Sequence, residues 1–93
     1  MAKKRTTPDE KAHMTRVARL GCCICGRDAE IHHLPGQGVR SSNYDVIGLC
    51  PEHHRNGNIG VAVHSGRRSW EARHGVTERE LWEKTNKILN LIY

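Results

Sequence analysis
The chain has 93 residues, a net charge of +5 and 37% hydrophobic residues, with no Phe and only two Trp and two Tyr. This size leaves room for one domain with a thin core, which disulfides or a bound metal commonly complete. No run approaches the ~18 apolar residues of a membrane span, no stretch joins a basic face to an apolar one, and Met1-Ala2-Lys3-Lys4-Arg5 leads into no signal-peptide core.

Residues 1–6 read as a basic tail and residues 7–93 as a single domain. Thr7-Pro8-Asp9-Glu10 carries a helix start: Thr7 as N-cap, Pro8 at the first helical position, Glu10 closing the capping box. That helix should carry Ala12, Met14, Val17, Ala18 and Leu20 and stop at Gly21. A tight cysteine turn follows at residues 22–26, then a strand over residues 29–34 that ends in His32-His33. Residues 35–43 form a loop, and Val46-Ile47-Gly48-Leu49 a second short strand. Pro51 opens a short helix holding His53 and His54, cut off by Arg55-Asn56-Gly57-Asn58. Residues 61–64 read as extended or irregular, and residues 67–74 as a short helix ended by Gly75. Thr77-Glu78-Arg79-Glu80 repeats the capping box and starts a last helix with Leu81, Ile88, Leu89 and Ile92 on one face. With Trp70 and Trp82, these read as core. The pattern predicts an α+β fold, a small zinc-stabilised core flanked by helices.

Cys22 and Cys25 stand at CxxC spacing, and Cys50 and His53 repeat it as CxxH. Two-residue gaps let both side chains of one turn reach one ion, and four S/N ligands match tetrahedral Zn²⁺ with no vacant position. This predicts a closed, structural zinc site. Cys22 is preferred over its neighbour Cys23 because only Cys22 gives CxxC. Two disulfides are the rival reading; they would leave His53 unexplained and need an oxidising compartment.

His32, His33, His54 and His64 remain outside that site. On a strand His32 and His33 point to opposite faces, so one can bind a metal while its neighbour reaches water or substrate. A single larger zinc cluster using every histidine would leave His33 on the wrong face. With Glu30-Ile31-His32-His33, Asp45 before Val46, and Cys50-Pro51-Glu52-His53-His54-Arg55, residues 20–58 resemble the HNH endonuclease motif in its zinc-bearing form. From Arg16–Cys22 through Trp70-Glu71 and Gly75 to Thr77-Glu78-Arg79, the chain further resembles the nuclease domain of the phage recombination enhancement function (Ref) family.

The resemblance implies a ββα-metal core that hydrolyses DNA phosphodiesters with a divalent metal. His33 matches the general base and His32 the metal ligand before it. Asp45 matches the position of the family's Asn, and His54 the last histidine, a metal ligand. The position four residues after His54 is Asn58, beyond Gly57, so His64 is the candidate to complete the metal site, with Asn58 or water as alternatives. Imidazole ligands suit Mn²⁺, Co²⁺, Ni²⁺ or Zn²⁺ better than Mg²⁺ on hardness grounds, although cellular availability can override this. Lys3, Lys4, Arg5, Arg40, Arg55, Arg67 and Arg68 are candidate phosphate contacts, which would make DNA binding salt-sensitive and largely sequence-independent.

Ref-like proteins act with the RecA recombinase and carry a longer basic N-terminal region than Met1–Thr6 here. RecA, a phage or prophage origin and action in the bacterial cytoplasm follow as expectations from the resemblance. The alternative function is a non-catalytic zinc module that binds DNA or protein. It keeps the zinc site and the basic charge, and it treats the histidine pair as structural.

Overall fold
The computed structural model describes residues 6–35 and 42–93. Helix α1 spans Pro8–Arg19, its N-terminus closed by the reciprocal capping box of Thr7 and Glu10. Gly21 then turns the chain with φ 85°, where a Cβ would lie 3.0 Å from the Gly26 carbonyl oxygen. Both facts call for glycine at this position. In the cysteine turn that follows, the Cys22 N–H donates to the Arg27 carbonyl at 2.7 Å and the Gly26 N–H to the Cys22 carbonyl at 2.8 Å.

Strands β1 (Glu30–His33) and β2 (Val46–Leu49) pair antiparallel, with His32 opposite Ile47 and His33 opposite Val46. Every residue of β2 is buried because both faces of the strand are covered. Ile47 and Leu49 join Trp70, Val63, Leu81, Cys22 and Cys50 in one cluster, while Val46 packs with Val17 and Leu89 in a second. Gly48 lets the end of α1 approach the sheet. A Cβ there would meet the Gly21 carbonyl oxygen at 2.9 Å and the Val17 carbonyl oxygen at 3.3 Å. The Cys23 N–H bonds the Gly48 carbonyl at 3.0 Å and ties the cysteine turn to the same strand.

After β2 the chain makes a π-helical turn, Glu52–Asn56, that carries His53 and His54. Residues 61–64, expected to be extended or irregular, divide between an isolated Ile59–Ala62 bridge and a 3₁₀ turn at Val63–Ser65. Helix α2 (Arg67–His74) ends at Gly75 with φ 71°, and α3 (Glu78–Ile92) starts from the second capping box, Thr77 with Glu80. The buried stripe of α3 is Glu78, Leu81, Thr85 and Leu89. This corrects the expected apolar face: Ile88 and Ile92 are 36% and 59% exposed. Ile88 lies at the margin of the buried stripe and Ile92 ends the helix beyond its last buried residue, Leu89, while a carboxylate occupies the stripe's first position. No helix among the described residues is long and apolar enough to cross a membrane.

Candidate active site
Two separate side-chain clusters flank the β-hairpin. The first draws Cys22 and Cys25 from the cysteine turn, Cys50 from the end of β2 and His53 from the π-turn, with ligand atoms all within 4.8 Å of one another. Cys25 Sγ lies 3.6 Å from Cys50 Sγ, and His53 Nδ1 lies 3.2 Å from Cys50 Sγ and 3.6 Å from Cys22 Sγ. A tetrahedral Zn²⁺ with bonds of about 2.3 Å to sulfur and about 2.0 Å to nitrogen sets its ligands about 3.5–3.7 Å apart, so the donor set fits the ion. All four cysteines are free thiols.

The adjacent cysteines differ in acidity. Burial pushes the Cys22 thiol up, but hydrogen bonds from the backbone of Cys50, Cys25 and Ile24 outweigh it and lower its pKa. Cys23 is pushed up to about 12, first by its burial and then by the charge of Cys22 beside it. Cys22 is thus suited to ligate as a thiolate, while Cys23 stays a half-buried thiol outside the cluster.

The second cluster is His32 from β1, His54 from the π-turn and His64 from the 3₁₀ turn, again with ligand atoms within 4.8 Å. The His54 and His64 ring centroids are 4.3 Å apart, and that of His32 lies 5.0 Å and 5.3 Å from them. His32 Nε2 bonds Glu78 Oε2 at 2.8 Å, and His54 Nδ1 bonds Glu30 Oε1 at 2.7 Å. Each of these two rings therefore has one nitrogen held by a carboxylate and the other left for an ion. Metal-ligating histidines are characteristically oriented in this way. Burial lowers the pKa of His54, an effect the Glu30 hydrogen bond only partly offsets, which favours the neutral, ligating imidazole.

His33 points to the other face of β1 and is exposed. Its Nε2 lies 2.9 Å from Asn43 Oδ1, and the Asn43 amide donates in turn to Glu10 Oε2 at 3.0 Å. An open cleft of about 310 Å³ is lined by both His33 and the metal-type histidines His32 and His64, together with Arg67 and Glu78. Strand β1 thus contributes His32 of the three-histidine cluster from one face and the hydrogen-bonded His33 from the other, and both line the same opening.

A family model described as recombination enhancement, RecA-dependent nuclease matches residues 6–90. The chain belongs to this family. A search of curated proteins found no match.

Within this nuclease, the structure distributes the expected site residues unevenly. His64 gathers with His32 and His54. Asp45 is bound into the hairpin by its main chain, accepting from the Leu34 N–H at 2.9 Å and donating to the Ser42 carbonyl at 3.0 Å. The side chain that meets His33 is Asn43, two positions earlier. Arg55 reaches back to Glu30 with Nε–Oε1 at 2.7 Å and Nη2–Oε2 at 3.2 Å, so its charge is partly spent on holding that carboxylate. Arg55 first and His54 second hold the Glu30 carboxyl down at about 2. Arg67 lines the cleft, 4.0 Å from Glu78 Oε1, and Arg68 is exposed on the same helix. Lys3, Lys4, Arg5 and Arg40 lie outside the described residues.

Sequence reasoning missed three side chains of the site: Asn43, Glu78 and the orienting role of Glu30. Glu78 carries a signal that reads otherwise, as the first residue of a capped helix. It is 4% exposed, and its own N–H bonds Glu71 Oε2 at 2.9 Å.

Proposed function
We propose that the chain is a metal-dependent HNH endonuclease that hydrolyses DNA phosphodiester bonds, acting on DNA that carries RecA. The observation that carries this reading is the shared cleft. A hydrogen-bonded histidine outside both metal-type clusters shares it with His32 and His64 of the three-histidine cluster, in which His32 and His54 are oriented by carboxylates. A plain zinc knuckle needs neither. The family match supplies the reaction class and the relation to RecA.

His32, His54 and His64 would hold the divalent ion, which when bound withdraws charge from the phosphoryl oxygens and stabilises the leaving oxygen. Mn²⁺, Ni²⁺ or Zn²⁺ suit three imidazoles better than Mg²⁺ does. His33 is the general base: it takes a proton from a water whose oxygen attacks phosphorus in line. The bond from phosphorus to the 3′ oxygen breaks, and that oxygen takes up a proton from solvent to leave a 3′-hydroxyl and a 5′-phosphate. Arg67, at the edge of the cleft, places a positive charge where a strand phosphate would enter. Asn43 holds the His33 ring by its Nε2 edge. The Cys22, Cys25, Cys50 and His53 site is closed and takes no part in the chemistry; it holds together the turn and strand end from which His54 is presented.

The test is cleavage of circular single-stranded and supercoiled DNA, with and without RecA filaments, by wild type and by zinc-loaded His33→Ala. Metal-dependent cutting by wild type, reduced about 100-fold or more in a folded His33→Ala that still binds DNA, supports the reading. Binding without cutting under every condition would replace it with a DNA-binding module.

A further inference from the structure
The amide between His33 and α1 has a polarity, and that polarity reaches the imidazole. Asn43 offers one acceptor edge and one donor edge. Its Nδ2 donates to Glu10 Oε2 at 3.0 Å, and its Oδ1 faces His33 Nε2 at 2.9 Å. Glu10 is a carboxylate, with acceptors only, so the edge of Asn43 that faces it must be the NH₂. The carbonyl edge is then left for His33, and a carbonyl can only accept. His33 must therefore carry its hydrogen on Nε2, and the lone pair falls on Nδ1.

We infer that Glu10 is a positioning residue for His33, acting through Asn43 to fix the imidazole as the Nε2–H tautomer so that Nδ1 is its basic nitrogen. This rests on the reading of His33 as the general base. Glu10 is well placed for the task because its other oxygen is already occupied. Oε1 accepts the Thr7 N–H at 2.8 Å, and the Glu10 N–H bonds Thr7 Oγ1 at 3.1 Å. The backbone N–H of Thr7, which Thr7→Ala keeps, thus also holds the carboxylate still. A base must present the right nitrogen as well as the right ring, and the wrong tautomer presents an N–H where a lone pair is needed. The relay runs on the face of β1 away from His32, and its α1 anchor comes from the first turn of the chain's first helix.

Three variants separate this role from helix capping. Glu10→Gln keeps a side-chain acceptor but adds a donor, so Asn43 can turn over and His33 can take either tautomer. Glu10→Gln combined with Asn43→Asp reverses the order. The new amide on α1 then donates, the new carboxylate on the hairpin accepts from both sides, and the Nε2–H tautomer is required again. Thr7→Ala removes the other half of the capping box and leaves the Glu10–Asn43 bond in place.

The measurement is the ¹⁵N and long-range ¹H–¹⁵N NMR spectrum of the His33 ring at pH 8, in the zinc-loaded full chain, alongside steady-state cleavage. Wild type and Thr7→Ala should show the Nε2–H tautomer, Glu10→Gln a mixture, and the double variant Nε2–H once more. In Glu10→Gln kcat should fall about tenfold with KM within about twofold, and the double variant should regain most of the loss. Thr7→Ala should lower the melting temperature about as far as Glu10→Gln does, with kcat unchanged. A Glu10→Gln protein that keeps pure Nε2–H, or a double variant that fails to restore it, overturns the inference. Failure of the base assignment would show differently, as undiminished cutting by His33→Ala, and the tautomer result would still decide the relay.

Discussion

Adjacent residues of this chain do opposite jobs, and their surroundings decide which. Cys22 and Cys23 are both free, yet only Cys22 belongs to the four-ligand cluster, and only Cys23 has its thiol pushed up to about 12. Cys22→Ser should therefore lose bound zinc and most cooperative unfolding, because metal binding and folding are one equilibrium in so small a domain. Cys23→Ser should keep one zinc per chain and shift the melting temperature by only a few degrees; zinc stoichiometry with a thermal melt distinguishes them. His32 and His33 divide in the same way, one buried against Glu78 and the other exposed beside Asn43.

His54 gives a prediction with a definite sign. Burial lowers its folded pKa below 6.5, so above pH 6.5 it is neutral in both states and its contribution to stability is complete. As pH falls through 6.5 the unfolded chain takes the proton first, and stability is lost until the folded value is reached. Denaturant midpoints between about pH 7 and pH 5 should therefore fall more steeply for wild type than for His54→Asn, whichever part of the fall zinc release adds to both. An identical slope in the two proteins would show that His54 is not held neutral by the fold.

At the scale of elements, the site depends on how closely the helices approach the hairpin. A Cβ on Gly48 would sit 2.9 Å from the carbonyl oxygen of Gly21, just past α1, and 3.3 Å from that of Val17 in the helix's last turn. Gly48→Ala should cost about 1–3 kcal/mol, because the backbone of the turn at Gly21 must move, and a urea melt reads it. Helix α3 reaches the site through Glu78, whose carboxylate holds His32 at 2.8 Å. Glu78→Gln, close in shape, should weaken ion binding at the three-histidine cluster about 10- to 100-fold while leaving the structural zinc in place, as titration of Ni²⁺ or Mn²⁺ into zinc-loaded protein would show.

These elements also show what a sequence makes legible. Both capping boxes, the glycines that end α1 and α2, and the limits of β2 are local signals, and each appears where the local pattern places it. The four zinc-type ligands and the gathering of His64 with His32 and His54 were readable from spacing and from family resemblance. Asn43 was not, because its approach to His33 depends on the hairpin register that sets His33 opposite Val46. Glu78 reads from the sequence as a first-turn acid, since helix patterning alone does not show a carboxylate buried against a strand 46 residues away. The apolar face of α3 departs from expectation in a related way: Glu78 and Thr85 are buried along it, while Ile88 and Ile92, at its margin and its end, stay exposed.

For the whole molecule, two ion sites serve two separate tasks in the reading proposed above, one holding the fold and one serving hydrolysis. They draw on neighbouring residues, His53 and His54, yet these belong to different clusters. The most direct test is to count ions and measure DNA cutting together in zinc-loaded wild type and His54→Ala. Wild type should bind one tightly held zinc and a second, exchangeable divalent ion, and cut DNA only when the second is present. His54→Ala should keep the first ion and a cooperative thermal transition, bind no second ion and lose cutting. If His54→Ala still binds the second ion and cuts, the three-histidine cluster is not the catalytic centre, and hydrolysis must be placed elsewhere on the chain.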